Sequence, residues 1–176
     1  MKFIETKLEG SYIIEPEKLT DDRGFFTRVW DSKIFDEVGL NPKLAQCNVS
    51  LSNKKGTIRG MHYQVKPFEE AKLVRCIRGS IFDVIIDLRS NSKTYKEWIG
   101  CEFSSQNHKM LYVPEGFAHG FQTLEDNTEI FYQVSQFYTP KAENGIRWDD
   151  NTFNISWSLE PTEMSVKDSS WPKFEL

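Results

Sequence analysis

The chain reads as a mainly β protein, a sandwich or jelly roll with one or a few short helices, on three observations. Short segments rich in aromatic and β-branched residues are punctuated by Gly, Pro, Asn and Asp. Residues 82–88 alternate apolar and acidic side chains with the period of a strand. No internal repeat, low-complexity tract or linker divides the 176 residues, so one domain spanning 1–176 is expected.

Taken in order, the clearest helix is Ser32 to Val38. Asp31 or Ser32 caps it, Ile34, Phe35 and Val38 form its apolar stripe, and Gly39 ends it. Leu73–Ile77 and Ile81–Leu88 flank Arg78-Gly79-Ser80, a hairpin signal in which Gly can take positive φ. Phe82, Val84, Ile86 and Leu88 lie opposite Asp83, Ile85 and Asp87, so one face packs on a core while the other meets water or a polar cavity. Further strands are expected at Lys109–Val113, Gly120–Leu124 and Thr128–Ser135, the last two joined at Asp126-Asn127. Ile130, Tyr132 and Val134 share one face of the last strand.

Composition narrows the partners. A net charge of -4 argues against nucleic acid or an anionic membrane surface and leaves room for a local basic pocket that binds a small anionic molecule. Cys47, Cys76 and Cys101 are odd in number and contain no CxxC pair, which fits a reducing cytoplasm. Met1 to Lys7 has no apolar signal core, and no apolar run approaches membrane-spanning length. A soluble, cytoplasmic protein is expected.

The densest chemistry lies in Arg59-Gly60-Met61-His62-Tyr63-Gln64, followed by Lys72-Leu73-Val74-Arg75. A proton on carbon next to a carbonyl becomes removable near neutral pH when a base takes it and a cation holds the enolate oxygen. His62 suits the base and Lys72 the clamp. The chain also carries Asp22-Arg23-Gly24-Phe25-Phe26, Gln46-Cys47-Asn48-Val49-Ser50, Phe117-Ala118-His119-Gly120-Phe121, Glu143-Asn144-Gly145-Ile146-Arg147-Trp148 and Ser165-Val166-Lys167-Asp168.

Together these motifs, from about Gly10 to Pro172, resemble the sugar-nucleotide 3,5-epimerase family of rhamnose biosynthesis, which acts on dTDP-4-keto-6-deoxyglucose. The resemblance implies a double-stranded β-helix barrel of the cupin kind, a homodimer whose early segments reach into the partner's site, and no metal or other cofactor. Epimerisation needs an acid and a base on opposite faces of the ring. By resemblance Tyr132 is the acid opposite His62, and Asp168 orients the histidine. Arg23, Arg59 and Lys167 match substrate-binding cations, Gln46, Asn48, His119 and Glu143 match polar contacts, and Phe26 and Tyr138 match aromatic ones. Two positions depart from the family pattern: Arg28 stands where Glu is usual, and Glu70 where Gln is usual.

The alternatives turn on the same residues. A metal-dependent cupin is disfavoured because His62, His108 and His119 form no His-x-His pair. A non-catalytic sugar-nucleotide binder would lack the base, acid or lysine, and a ketoisomerase on the same barrel fits the Lys72 and Tyr132 matches less well. Inversion at C3, C5 or both is left open. So is the nucleotide: Arg28 would suit the N3 acceptor of cytosine, hence a CDP sugar, unless it turns outward or pairs with Asp31 and thymidine is retained.

Overall fold

A computed structural model describes residues 1–174. In chain order the elements are β1 (Lys2–Glu5), β2 (Tyr12–Glu15), β3 (Lys18–Asp21), β4 (Gly24–Thr27), α1 (Ser32–Glu37), β5 (Gln46–Ser52), β6 (Ile58–Gln64), β7 (Lys72–Arg78), β8 (Ser80–Asp87), β9 (Trp98–Ser104), β10 (Met110–Val113), β11 (Phe117–Thr123), β12 (Thr128–Val134), β13 (Glu143–Gly145) and α2 (Val166–Ser170). A six-stranded sheet runs β1-β2-β10-β7-β12-β5 and a five-stranded sheet runs β13-β6-β11-β8-β9. β3 and β4 form a separate two-stranded arm. This is the jelly-roll barrel that the resemblance implied. Among the described residues, no helix is long and apolar enough to cross a membrane.

The sheets pack through an interior of Ile81, Ile85, Leu111, Phe121 and Ile130, against which Tyr132 lies half-buried. The outer face of the six-stranded sheet is covered where Phe35 of α1 meets Leu73, Met110 and Tyr112. Removing the fully buried Phe35 ring would cost about 3–5 kcal/mol. The outer face of the five-stranded sheet, with Val84, Ile86 and Ala118, lies under the C-terminal segment through Ile146, Phe153 and Trp157. Both faces of β8 are therefore buried. Its apolar row meets the C-terminal segment, and Asp83 and Ile85 turn into the barrel.

Three local expectations need correction. Arg78-Gly79-Ser80 does not join a hairpin: β7 pairs with β10 and β12, whereas β8 pairs with β9 and β11 in the other sheet. Gly79 (φ +75°) sits at this corner, where a Cβ would fall 2.4 Å from the Thr128 hydroxyl. A register slip opposite Glu129 and Ile130 bends β7 just before it. A hairpin and a corner between sheets use the same Gly chemistry, so local pattern cannot separate them. In α1, Asp31 caps Lys33 and Ile34 as expected, but Val38 is its exposed C-cap, leaving Phe35 as the helix's fully buried anchor. The predicted strand at Gly120–Leu124 begins earlier, at Phe117.

One irregularity positions the chemistry. His119 pairs with His62 between β11 and β6, but Phe121 pairs with Arg59, so Gly60 and Met61 together oppose Gly120. A Cβ on Gly60 (φ +129°) would stand 2.5 Å from the Gly120 Cα, and only glycines permit this approach. Residues three apart on a regular strand face opposite sides. The extra residue of the bulge brings Arg59 and His62 to the same cavity.

Candidate active site

A cavity of about 520 Å³ opens between the two sheets beside the C-terminal segment, and Arg59, His62, Lys72, His119, Tyr132 and Asp168 are among its lining residues. β6 delivers Arg59 and His62, while β7 and β12 deliver Lys72 and Tyr132 from the same sheet face. Val74 lies directly opposite Tyr132 and Lys72 opposite Val134, so the ammonium and phenol are diagonal neighbours on that face.

The Nε2 atom of His62 is 2.6 Å from Oδ1 of Asp168, across 106 residues of sequence. Asp168 is buried, and its second oxygen accepts from the Gly60 backbone N–H at 3.4 Å. Burial would raise the Asp168 pKa, but the hydrogen bond and charge of His62, with help from Gly60 and Ser165, bring it below the ordinary carboxylate value. The short helix α2 holds the carboxylate in place. Ser165 caps it, accepting from the Asp168 N–H at 3.0 Å, and a parallel bridge from Glu163 to Thr57 ties the segment alongside β6. Trp171 sets its indole edge-to-face against the His62 ring at 6.3 Å.

Lys72 is nearly buried and reaches Glu70 at 3.0 Å, whose other oxygen accepts from Gln64 at 2.9 Å. This pair accounts for the departure at Glu70, which supplies an ionic partner for an ammonium that has left bulk water. Burial and the Glu70 charge raise the Tyr132 pKa, while Arg59 lowers it, and the net upward shift keeps the phenol protonated around neutrality. Arg59 is held by Ser52 Oγ at 3.0 Å and the Leu51 carbonyl at 2.9 Å.

At one side Lys167 lies 2.5 Å from Glu143, and the Tyr138 hydroxyl donates to the same carboxylate at 2.7 Å. Burial works to raise the Glu143 pKa, yet these two donors lower it overall, and Glu143 in turn raises Lys167 and Tyr138. Gln46 accepts from the Tyr138 backbone N–H at 2.7 Å, and Asn48 lies opposite Tyr132 across β5 and β12. The structure thus brings together His62, Lys72, Tyr132, Asp168, Arg59, His119, Glu143 and Lys167, with Gln46, Asn48 and Tyr138 beside them.

Arg23, Phe26 and Arg28 stand apart from this cavity. Arg23 pairs with Asp21 at 2.5 Å on the β3–β4 arm, Phe26 is 63% exposed there, and Arg28 pairs with Asp31 at 3.2 Å. Two participants escaped the sequence reading. Asp83, buried beside His119 at 2.6 Å, looked like one acid in an alternating strand. Helix α2 was also missed, although Ser165-Val166-Lys167-Asp168 is a capping-box spacing. Among the described residues, no group of three or more His, Cys, Asp or Glu side chains is arranged to hold a metal ion.

A base held by a buried carboxylate, a protonated phenol and a buried ammonium around one cavity suit proton transfer beside a carbonyl. Comparison with known proteins agrees. A dTDP-4-dehydrorhamnose 3,5-epimerase from Methanothermobacter thermautotrophicus is 46% identical over 174 residues, covering 97% of this chain and 92% of the relative. The crystal structure of a dTDP-4-dehydrorhamnose 3,5-epimerase from Bacillus anthracis, with TDP and PPi bound, superposes with a TM-score of 0.95 at 40% identity, covering 98% and 99% of the two chains. A 3'-monoepimerase from Streptomyces bikiniensis in complex with dTDP-quinovose superposes at 0.87 with 29% identity, covering 96% and 85%. The family model for dTDP-4-dehydrorhamnose 3,5-epimerase matches residues 5–175, and this chain belongs to that family of carbohydrate epimerases.

Proposed function

We propose that the chain inverts C3 and C5 of a dTDP-linked 4-keto-6-deoxyhexose without a metal. His62 takes the proton from the carbon beside the carbonyl, and the C–H electron pair moves into the enolate. Lys72 stabilises the charge on the enolate oxygen, and Tyr132 places a proton on the opposite face. Exchange with water then removes the proton from His62 and restores the phenol. The observation that carries this reading is the convergence of the His62–Asp168 pair, Lys72 and Tyr132 on one cavity. Arg59 and Lys167 supply positive charge for the diphosphate.

The β3–β4 arm supports a homodimer. Leu19, Phe25 and Phe26 are 63%, 48% and 63% exposed on it, an apolar surface carried beside Arg23 and away from the chain's own cavity. In the proposed assembly this arm completes the nucleotide end of the partner's site. A second reading, inversion at C3 alone, is favoured by the similarity to the monoepimerase.

Proton NMR of a dTDP-4-keto-6-deoxyhexose in D2O tests both readings. Deuterium entering C3 and C5 with inversion at both is expected, and full activity should survive EDTA and dialysis. Inversion confined to C3 selects the second reading. Activity lost to EDTA and restored by zinc, iron or manganese overturns the metal-free mechanism.

A further inference from the structure

Two histidine–aspartate pairs flank the cavity, and only His62–Asp168 has a role in the reaction as set out above. In the second, His119 Nε2 lies 2.6 Å from Asp83 Oδ1. Asp83 is 0% exposed, and its other oxygen, Oδ2, is buried with no hydrogen-bond partner. Among the described residues its only ion-pair partner is His119. Asp168, by contrast, also accepts from the Gly60 N–H. His119 lines the cavity and sits directly opposite His62 between β11 and β6, and its Nδ1 atom has no protein partner among the described residues.

An ionised carboxylate with an unpartnered oxygen in a closed interior is strongly disfavoured unless a proton stays with its one partner. That proton can be placed in two ways. Either Asp83 is ionised and His119 is an imidazolium, or Asp83 carries the proton and donates it to Nε2 of a neutral ring. Nδ1 bears a hydrogen in both. The excluded state is an ionised Asp83 beside a neutral ring protonated only at Nε2, which would turn Nδ1 into an acceptor. Groups facing the pair are His62 and Arg59 on β6, Lys72 and the thiol of Cys76 on β7, Cys101 on β9 and Tyr132 on β12. Lys72 is balanced by Glu70, and Arg59 is bound to Leu51 and Ser52. The two cations disfavour the imidazolium form but leave the protonated-Asp83 form, with its Nδ1–H, untouched.

We infer that Asp83 is a positioning residue that keeps a hydrogen on His119 Nδ1, so that His119 is a fixed donor to a carbonyl or enolate oxygen of the sugar, acting beside Lys72. This rests on the proposed function for the identity of the oxygen, but the protonation state stands independently. Long-range proton–nitrogen NMR of the ligand-free, 15N-labelled protein reads it directly. Only three histidines are present, and His62→Asn and His108→Asn variants assign the spectrum. A protonated His119 Nδ1 at pH 8 is expected, and an unprotonated Nδ1 there overturns the inference.

Asp83→Asn can still donate an amide hydrogen to Nε2 and so hold the Nδ1–H, but Asp83→Leu offers Nε2 neither donor nor acceptor and should lose the fixed donor. The expected loss in kcat for Asp83→Leu is about 100-fold or more, with dTDP affinity changed less than twofold. An Nδ1 that stays protonated in Asp83→Leu, or an unchanged kcat, overturns the role of Asp83. If that variant does not fold, the spectrum of the unmodified protein still decides. Failure of that protein to exchange C3 or C5 hydrogens would strike at the proposed reaction, and is read separately.

Discussion

Glu70 and Lys72 form a nearly buried ion pair at 3.0 Å on the wall of the cavity, beside the phenol of Tyr132. The ammonium that would meet a developing enolate is therefore balanced in the resting site. Breaking such a pair from one side leaves a charge without compensation.

Glu70→Ala should lower stability by about 3 kcal/mol, and Glu70→Gln by clearly less, because an amide still accepts from Lys72. Urea unfolding monitored by tryptophan fluorescence measures both. Equal losses would mean that the amide does not replace the carboxylate, and that the negative charge itself is what Glu70 supplies.

The base and the acid should separate kinetically. His62→Asn is expected to slow deuterium entry at both C3 and C5 by on the order of a hundred-fold to ten-thousand-fold. Tyr132→Phe should leave exchange from the His62 side and abolish inversion. Equal loss of exchange in the two variants would reassign Tyr132 to a structural task.

The exposed arm makes a prediction about assembly. Mixed dimers of a His62→Asn chain with an Arg23→Ala/Phe26→Ala chain should regain activity above either parent, since one site then combines an intact base with an intact arm. Recovery is absent if the arm serves its own chain. A monomer by light scattering would end the dimer proposal outright.

Arg28 is held outward by Asp31, an exposed pair at 3.2 Å, so a cytosine-specific contact has no support from its position in the chain's own cavity. Calorimetry should find dTDP bound more tightly than CDP, with Arg28→Glu leaving the preference in place. A preference for CDP that this variant abolishes would restore the cytidine reading.

Asp87 gives a pH signature of the fold. Burial works against its ionisation, but hydrogen bonds from Arg89, Ser92 and Thr94 prevail and hold its pKa at about 2, below the ordinary 3.8. A depressed carboxylate contributes stability that is complete above the unfolded value and lost as pH falls through the folded one. Asp87→Asn should therefore cost on the order of 2 kcal/mol at pH 7, with the gap to the parent closing between about pH 4 and pH 2. A gap that persists at pH 2 would assign the cost to geometry.

Local pattern carried the β class, the cap at Asp31, the strand bearing Ile130, Tyr132 and Val134, and the motifs around His62 and Lys72. Each depends on a few adjacent residues, as hydrophobic period and capping chemistry do. Alternation in β8 correctly allowed a polar cavity but not its occupant, because the partner of Asp83 arrives from β11, 36 residues away. Local pattern makes the corner at Gly79 a hairpin for the same reason: which sheet a strand joins is a property of distant partners. Asp168 reaches His62 only because α2 is capped by Ser165 and tied beside β6. Arg59 and His62, three apart and so expected on opposite faces, share the cavity through a bulge that exists only where Gly60 and Gly120 of two strands meet. Residue type set the chemistry available to this chain, and long-range packing, which alone fixes register and approach, turned it into a site.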